Sequence, residues 1–276
     1  MNKTMNKKTR YPAFATAAVL ALCLTLGLAP NAYASDLKWY VGAKLPIMFI
    51  DDTESKTSGT ATLQGTTYPY SSDATVEYDA GFRLSGILGY QVDPNIRVEG
   101  ELFYGKAKVD KLTYKGVSAV VEGNSIPIPG SIDGNGSGSP KQLGAMVNVW
   151  YDFNSASQWT PYAGLGLGLI RVDLANLKYD DNAVAEGIAA RLTQGTVTTL
   201  SPGFVPELSK DTDTAFAWQF GAGVGYELSD TVTLDLGYRY QNTGTLKFEG
   251  KNATATVISE QKLKVHLIEV GIRYRF

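Results

Sequence analysis

The chain has 276 residues, a formal net charge of −2, 44% hydrophobic and 19% charged residues, 29 glycines and 16 tyrosines. Such a balance supplies no basic surplus for nucleic acid, and one cysteine cannot build a disulfide framework. The glycine and aromatic content fits a β protein.

Residues 1–34 have the three regions of a secretory signal peptide in order. Lys3, Lys7, Lys8 and Arg10 are the basic start. The apolar stretch from Ala13 to Leu28 is about 16 residues, short of the roughly 20 that a spanning helix needs. Ala32 and Ala34 flank the small-residue site, and cleavage is expected after Ala34, leaving 35–276 as the mature domain. Cys23 follows Leu22, where lipid attachment would require a small residue, so it is expected to leave with the leader. Removing four basic and no acidic residues makes the mature part more acidic.

Beyond the leader no apolar run approaches 20 residues, and the pattern is alternation. Strands are predicted near 37–46, 79–91, 95–107, 142–153, 159–171, 214–228, 231–246 and 262–276. On the first, Trp39, Val41, Ala43 and Leu45 share a face. On the sixth, Phe216, Trp218, Phe220, Ala222, Val224 and Tyr226 alternate with Ala217, Gln219, Gly221, Gly223 and Gly225. On the seventh, Val232, Leu234, Leu236, Tyr238 and Tyr240 alternate with Thr233, Asp235, Gly237, Arg239 and Gln241. On the last, Ile268, Val270, Ile272, Tyr274 and Phe276 alternate with Glu269, Gly271, Arg273 and Arg275.

The connections alternate in length. Gln91 to Asn95, Asn154 to Gln158 and Ser229-Asp230 are short and turn-forming. Those at 47–78, 108–141, 172–213 and 247–261 are about 32, 34, 42 and 15 residues long. Short periplasmic turns and long extracellular loops mark outer-membrane barrels. The fold class expected is therefore all-β, a closed antiparallel eight-stranded transmembrane up-and-down β-barrel in a bacterial outer membrane. The second loop, rich in Gly, Ser and Pro from Gly123 to Pro140, reads as flexible. In the third, Val184, Ala185, Ile188, Ala189 and Leu192 suggest a short helix over Ala183–Leu192.

Alternation puts Lys38, Lys44, Arg83, Arg97, Glu99, Glu101, Asp235, Arg239, Glu269, Arg273 and Arg275 on the inward face. Eight strands leave room for side chains only, and buried ions need partners, so a salt-bridged, plugged interior is expected. Aromatics fall at two levels, as interfacial girdles do. Tyr90, Tyr151, Phe153, Tyr226, Tyr274 and Phe276 lie at the short-turn end, with Tyr104, Phe216, Trp218 and Tyr240 toward the loops.

Four local patterns carry a resemblance to a family. They are Gly86-Ile87-Leu88-Gly89-Tyr90 with Arg97-Val98-Glu99-Gly100-Glu101, Thr160 to Gly168, Phe220 to Tyr226 followed by Leu236 to Tyr240, and Val270 to Phe276. Together they resemble the small eight-stranded outer-membrane barrels that include opacity-type adhesins and surface antigens. The resemblance implies that Tyr274 and Phe276 form the signal read by the barrel-assembly machinery. It also implies a structural or surface-interaction scaffold among outer-membrane lipid and lipopolysaccharide, with loops open to host or cell-surface ligands. The chain stops at its last strand, so no peptidoglycan-binding domain of the larger OmpA type is expected.

Rival functions leave weaker marks. A narrow porin or small-solute transporter would need a continuous lumen. A lipopolysaccharide-modifying enzyme would need a catalytic histidine, and His266, near Ser259 and Glu260, matches no motif of that kind. Asp51, Asp52, Glu54, Asp180 and Asp181 read as solvated loop charges rather than calcium ligands. The Gly-x-Gly-x-Gly runs at 164–168 and 221–225 sit within strands and cradle no phosphate. No enzyme activity, cofactor or metal is expected.

Overall fold

A computed structural model describes residues 38–276 except 64, 122–123, 129–131, 135, 154–156, 175–177, 180–185, 187–189, 191–207, 211 and 252. The leader and its cleavage residues Ala32 and Ala34 lie outside the described residues. So does most of the expected helix, of which only Glu186 and Ala190 are described, both helical.

Eight strands close the barrel: β1 (Trp39–Ile50), β2 (Gly81–Gln91), β3 (Ile96–Lys106), β4 (Lys141–Asp152), β5 (Trp159–Asp173), β6 (Thr212–Glu227), β7 (Val232–Thr243) and β8 (Lys264–Arg275). Each pairs antiparallel with its chain neighbour, and β1 pairs with both β2 and β8. Closure lets the wall strands pair with one another all the way round, as hydrocarbon, which offers backbone amides no partners, demands.

The register fixes the tilt. A row of paired residues runs from Trp39 through Tyr90, Val98, Val149, Leu165, Phe220, Tyr240 and His266 to Phe49. It returns to β1 ten residues further along, and eight strands with that stagger tilt by about 40°.

The short turns are held by side chains. Asp93 Oδ1 accepts from the amides of Asn95 (2.7 Å) and Ile96 (2.9 Å), and Ser229 Oγ accepts from Val232 N (3.1 Å). Such Asx and Ser turns are what Asp, Asn and Ser supply between strands.

The long connections depart from the sequence reading. Strands Thr53–Leu63, Thr66–Tyr78, Val109–Val121, Asn124–Ile128, Leu208–Lys210, Leu246–Lys251 and Ala255–Gln261 form a second antiparallel sheet. It prolongs the wall over the β7, β8, β1, β2 and β3 sector. Even the segment read as flexible contributes strands, with Ile132–Gly134 paired to 112–114. Polar alternation in these segments, such as buried Thr53 and Ser55 between exposed Asp52, Glu54 and Lys56, lacks the apolar face by which strands were sought. Above β4 to β6, Asn124–Ile128 and Ile132–Gly134 line the far side of Val109–Val121, Gly136–Ser137 pairs with Lys178–Tyr179, and Leu208–Lys210 pairs with Leu246–Lys251.

The outer wall is apolar. Leu165, Leu102, Leu45, Val147 and Val270 stand exposed at 60 to 68%, a surface that water would penalise and lipid accepts.

Candidate functional site: the filled lumen and the surface above it

Inward positions begin at the periplasmic turns with two ion pairs. Arg97 Nε donates to both oxygens of Asp152 (2.8 and 3.0 Å), and Arg273 is bidentate to Asp235 (2.7 and 2.8 Å). Glu99, fully buried, gathers Arg97 Nη1 (2.6 Å), the Tyr40 hydroxyl (2.9 Å), the Trp150 indole N–H (2.8 Å) and Lys44 Nζ (3.4 Å).

Lys44 also reaches Glu269 at 3.5 Å, and Glu269 joins Arg239. Arg239 then grips Glu101 through both terminal nitrogens (2.5 and 3.1 Å). From Glu101 the bonds become neutral: Asn148 donates to Glu101 (3.1 Å), Gln219 to Asn148 (2.5 Å) and Gln241 to Gln219 (3.1 Å). Arg83 ends the chain, donating to Gln241 (2.8 Å) and Gln142 (3.1 Å). Five buried cations, Lys44, Arg83, Arg97, Arg239 and Arg273, thus face five acids, Glu99, Glu101, Asp152, Asp235 and Glu269. Unpaired ions would be costly at this burial, and ion pairing offsets that cost for all of these cations but Arg83, whose partners are carboxamides.

Space for these large groups comes from glycine. A β-carbon on Gly164 would stand 2.5 Å from the Trp150 ring, and one on Gly223 would stand 2.5 Å from that of Tyr162.

The extracellular half of the lumen differs in kind. Met48, Phe103, Met146, Ile170, Val265 and Leu267 form one buried cluster, continued upward by Ile50, Val172, Leu246, Phe248 and Leu263. Arg83 lies at its edge, its guanidinium 3.9 Å over the Phe103 ring. A salt-bridged interior therefore describes the periplasmic half and not the whole lumen. Two charges read as inward stand at the margin instead: Lys38 is exposed and Arg275 half-buried, because both lie at the open periplasmic end.

Trp150, Tyr40, Tyr162 and Asp152 were missed as lumen residues. Their parity was legible, since Trp150 shares its face of β4 with Asn148 and Asp152. An aromatic inside a membrane barrel contradicts the rule that aromatics face lipid.

At the short-turn end Trp39 lies tilted against Tyr90 (4.9 Å), Trp159 tilted against Tyr226 (4.6 Å), and Tyr151 meets Phe153 edge-on (5.0 Å). Toward the loops Trp218 meets Tyr240 at 5.7 Å, and Tyr240 meets His266 at 5.2 Å. Tyr274 pairs in register with Val41 and Val232, and the Phe276 amide donates to the Trp39 carbonyl at 2.9 Å.

His266 faces outward near the rim. Its Nδ1 shares a 2.6 Å hydrogen bond with the Tyr238 hydroxyl, and Nε2 is 3.0 Å from Asp51 Oδ1. Ser259 bonds instead to Ser55 (2.7 Å) and Glu260 to Lys247 (2.6 Å), so the serine and acid near it in sequence are engaged elsewhere.

On the outer face of the extracellular sheet, Lys247, Glu260, Lys56 and Asp73 follow one another across four strands. Signs alternate along this exposed row. The hydrogen bond to Glu260 holds the Lys247 ammonium above its ordinary range.

Comparison with known proteins agrees with this architecture. Over 136 residues the chain is 32% identical to the outer membrane protein PagN of Salmonella typhimurium, covering 48% of each. Over 136 residues it is 28% identical to the opacity protein opA68 of Neisseria gonorrhoeae, covering 47% of this chain and 50% of that one. The chain thus spans about half the length of these relatives. The crystal structure of Neisserial surface protein A superposes with a TM-score of 0.41 at 17% identity, covering 86% of this chain and 97% of that one. The family model for the outer membrane protein beta-barrel domain matches residues 18–276, and the chain belongs to that family of bacterial outer-membrane barrels.

Proposed function

We propose that this barrel is a closed scaffold that holds its loop-built sheet at the cell surface for contact with host or neighbouring cells. The observation that carries the reading is the lumen: bonded ions and carboxamides through the periplasmic half, capped by a buried apolar cluster through the extracellular half. Water crosses neither a salt-bridged core nor an apolar plug of close-packed side chains. The surface offered to a ligand is the outer face of the sheet, with its alternating charges and the exposed Ile258. Alternating charge selects partners by complementarity more than it adds raw affinity. Tyr274 and Phe276, in and just after β8, serve in this reading as the signal for the barrel-assembly machinery.

Single-channel recording on the refolded chain in a planar bilayer tests it, with a heat-modifiability gel to establish folding. Folded protein without conductance steps is the expected result, alongside binding of cells expressing the protein that is lost when residues 53–78 are replaced by a short turn. Steady conductance would overturn the closed scaffold and put a narrow porin or small-solute transporter ahead.

A further inference from the structure

Outward-facing charge is matched unevenly around the rim. On β8 and β1, the Asp51 carboxylate lies 3.0 Å from His266 Nε2. On the extracellular sheet Lys247 is paired with Glu260, and beyond β3 Lys108 is 3.8 Å from Asp79. On β3 to β5 the pattern breaks. Lys106 and Lys141 are direct cross-strand partners, and Arg171 sits opposite Leu143, one outward position below Lys141.

All three share the face of the lipid-exposed residues Leu102, Leu143 and Leu169. One acid, Asp173, faces Lys141 in register, which leaves two of the three cations without an acidic cross-strand partner. Like charges directly opposed on a sheet are destabilising, and an anion between them reverses the sign.

Height identifies the anion. At this tilt each residue climbs about 2.5 Å, which sets Lys106, Lys141 and Arg171 about 26–29 Å above the Trp39 girdle, just over an apolar band about 25 Å tall. That is the level of outer-leaflet phosphates. The three cations lie on the outward face of the wall, so lipid headgroups reach them from the side. We propose that β3 to β5 carry a binding site for the phosphorylated headgroup of an outer-leaflet lipid. Lys106 and Lys141 clamp a phosphate between them as charge-assisted donors, Arg171 approaches from β5, and the acyl chains lie on the leucines beneath. The site is independent of what the loops bind.

The test uses the refolded chain in octyl glucoside, which carries no phosphate, with EDTA present. Diphosphoryl lipid A and its dephosphorylated counterpart are the probes, read by native mass spectrometry. Wild type is expected to hold the phosphorylated probe at least tenfold more tightly than the dephosphorylated one. The K106Q/K141Q/R171Q variant is expected to lose that preference, while a K56Q/K247Q variant keeps it. Because all five side chains face outward, heat-modifiability should be unchanged. Equal binding of both probes by wild type, or an undiminished preference in the triple variant, would overturn the site. Displacement of the lipid by inorganic phosphate at low millimolar concentration would overturn the lipid source and leave a free-phosphate site.

Discussion

The two halves of the lumen fill the same space by opposite chemistry. Near the periplasm the walls carry Arg97, Glu99, Lys44, Glu101, Arg239 and Glu269, each positioned by the next. Toward the outside Met146, Leu267 and Ile170 pack in an apolar cluster, with Phe103 at its edge beneath the Arg83 guanidinium. A network of ions is specific and brittle, since loss of one member strands another in low dielectric. An apolar cluster yields gradually, by the size of the hole left behind. The boundary runs through Arg83, a cation that touches carboxamides, a thioether and an aromatic ring, and has no carboxylate in ion-pair distance among the described residues.

That contrast can be tested from its strongest point outward. Glu101→Leu removes the bidentate partner of Arg239 and the acceptor of Asn148, and it is expected to destabilise the barrel by about 3–5 kcal/mol. Urea titration of the heat-modifiable form in detergent measures this, and a midpoint equal to wild type would mean that the ionic half does not hold the wall. Leu267→Ala in the apolar half leaves a cavity and should cost about 3 kcal/mol. It should leave conductance at zero, because neighbouring side chains from four strands still close the lumen. Conductance steps in this variant would show the plug to be one residue deep. Arg83→Met should cost about 1 kcal/mol or less, as Nε and Nη1 of Arg83 lack partners and methionine fits the cluster it borders. If its midpoint fell as far as that of Glu101→Leu, Arg83 would belong with the ionic half after all.

The sequence showed the barrel more readily than the surface above it. Strands of strong alternation, such as Phe216 to Tyr226 and Ile268 to Phe276, were legible to within a few residues because lipid and lumen impose opposite polarity on successive positions. The loops were not, since strands exposed to water on one face and turned to a polar interior on the other, such as Thr53–Leu63, carry no such contrast. His266 shows the same limit at the scale of one residue. Its sequence neighbours Ser259 and Glu260 turned out to serve other partners, while Asp51 and Tyr238 came from β1's end and β7.

By itself, then, the sequence determined the strand number, the strict alternation of short and long connections and the inward parity of the charged residues, because each depends on periodicity along the chain. Only the tertiary structure decided which ion meets which and that the outer half of the lumen is apolar. It also decided that the loops continue the wall and that Lys106 and Lys141 stand opposed on the lipid face. Those features depend on register between strands far apart in sequence, and a stagger of ten residues around the barrel is written in no single segment.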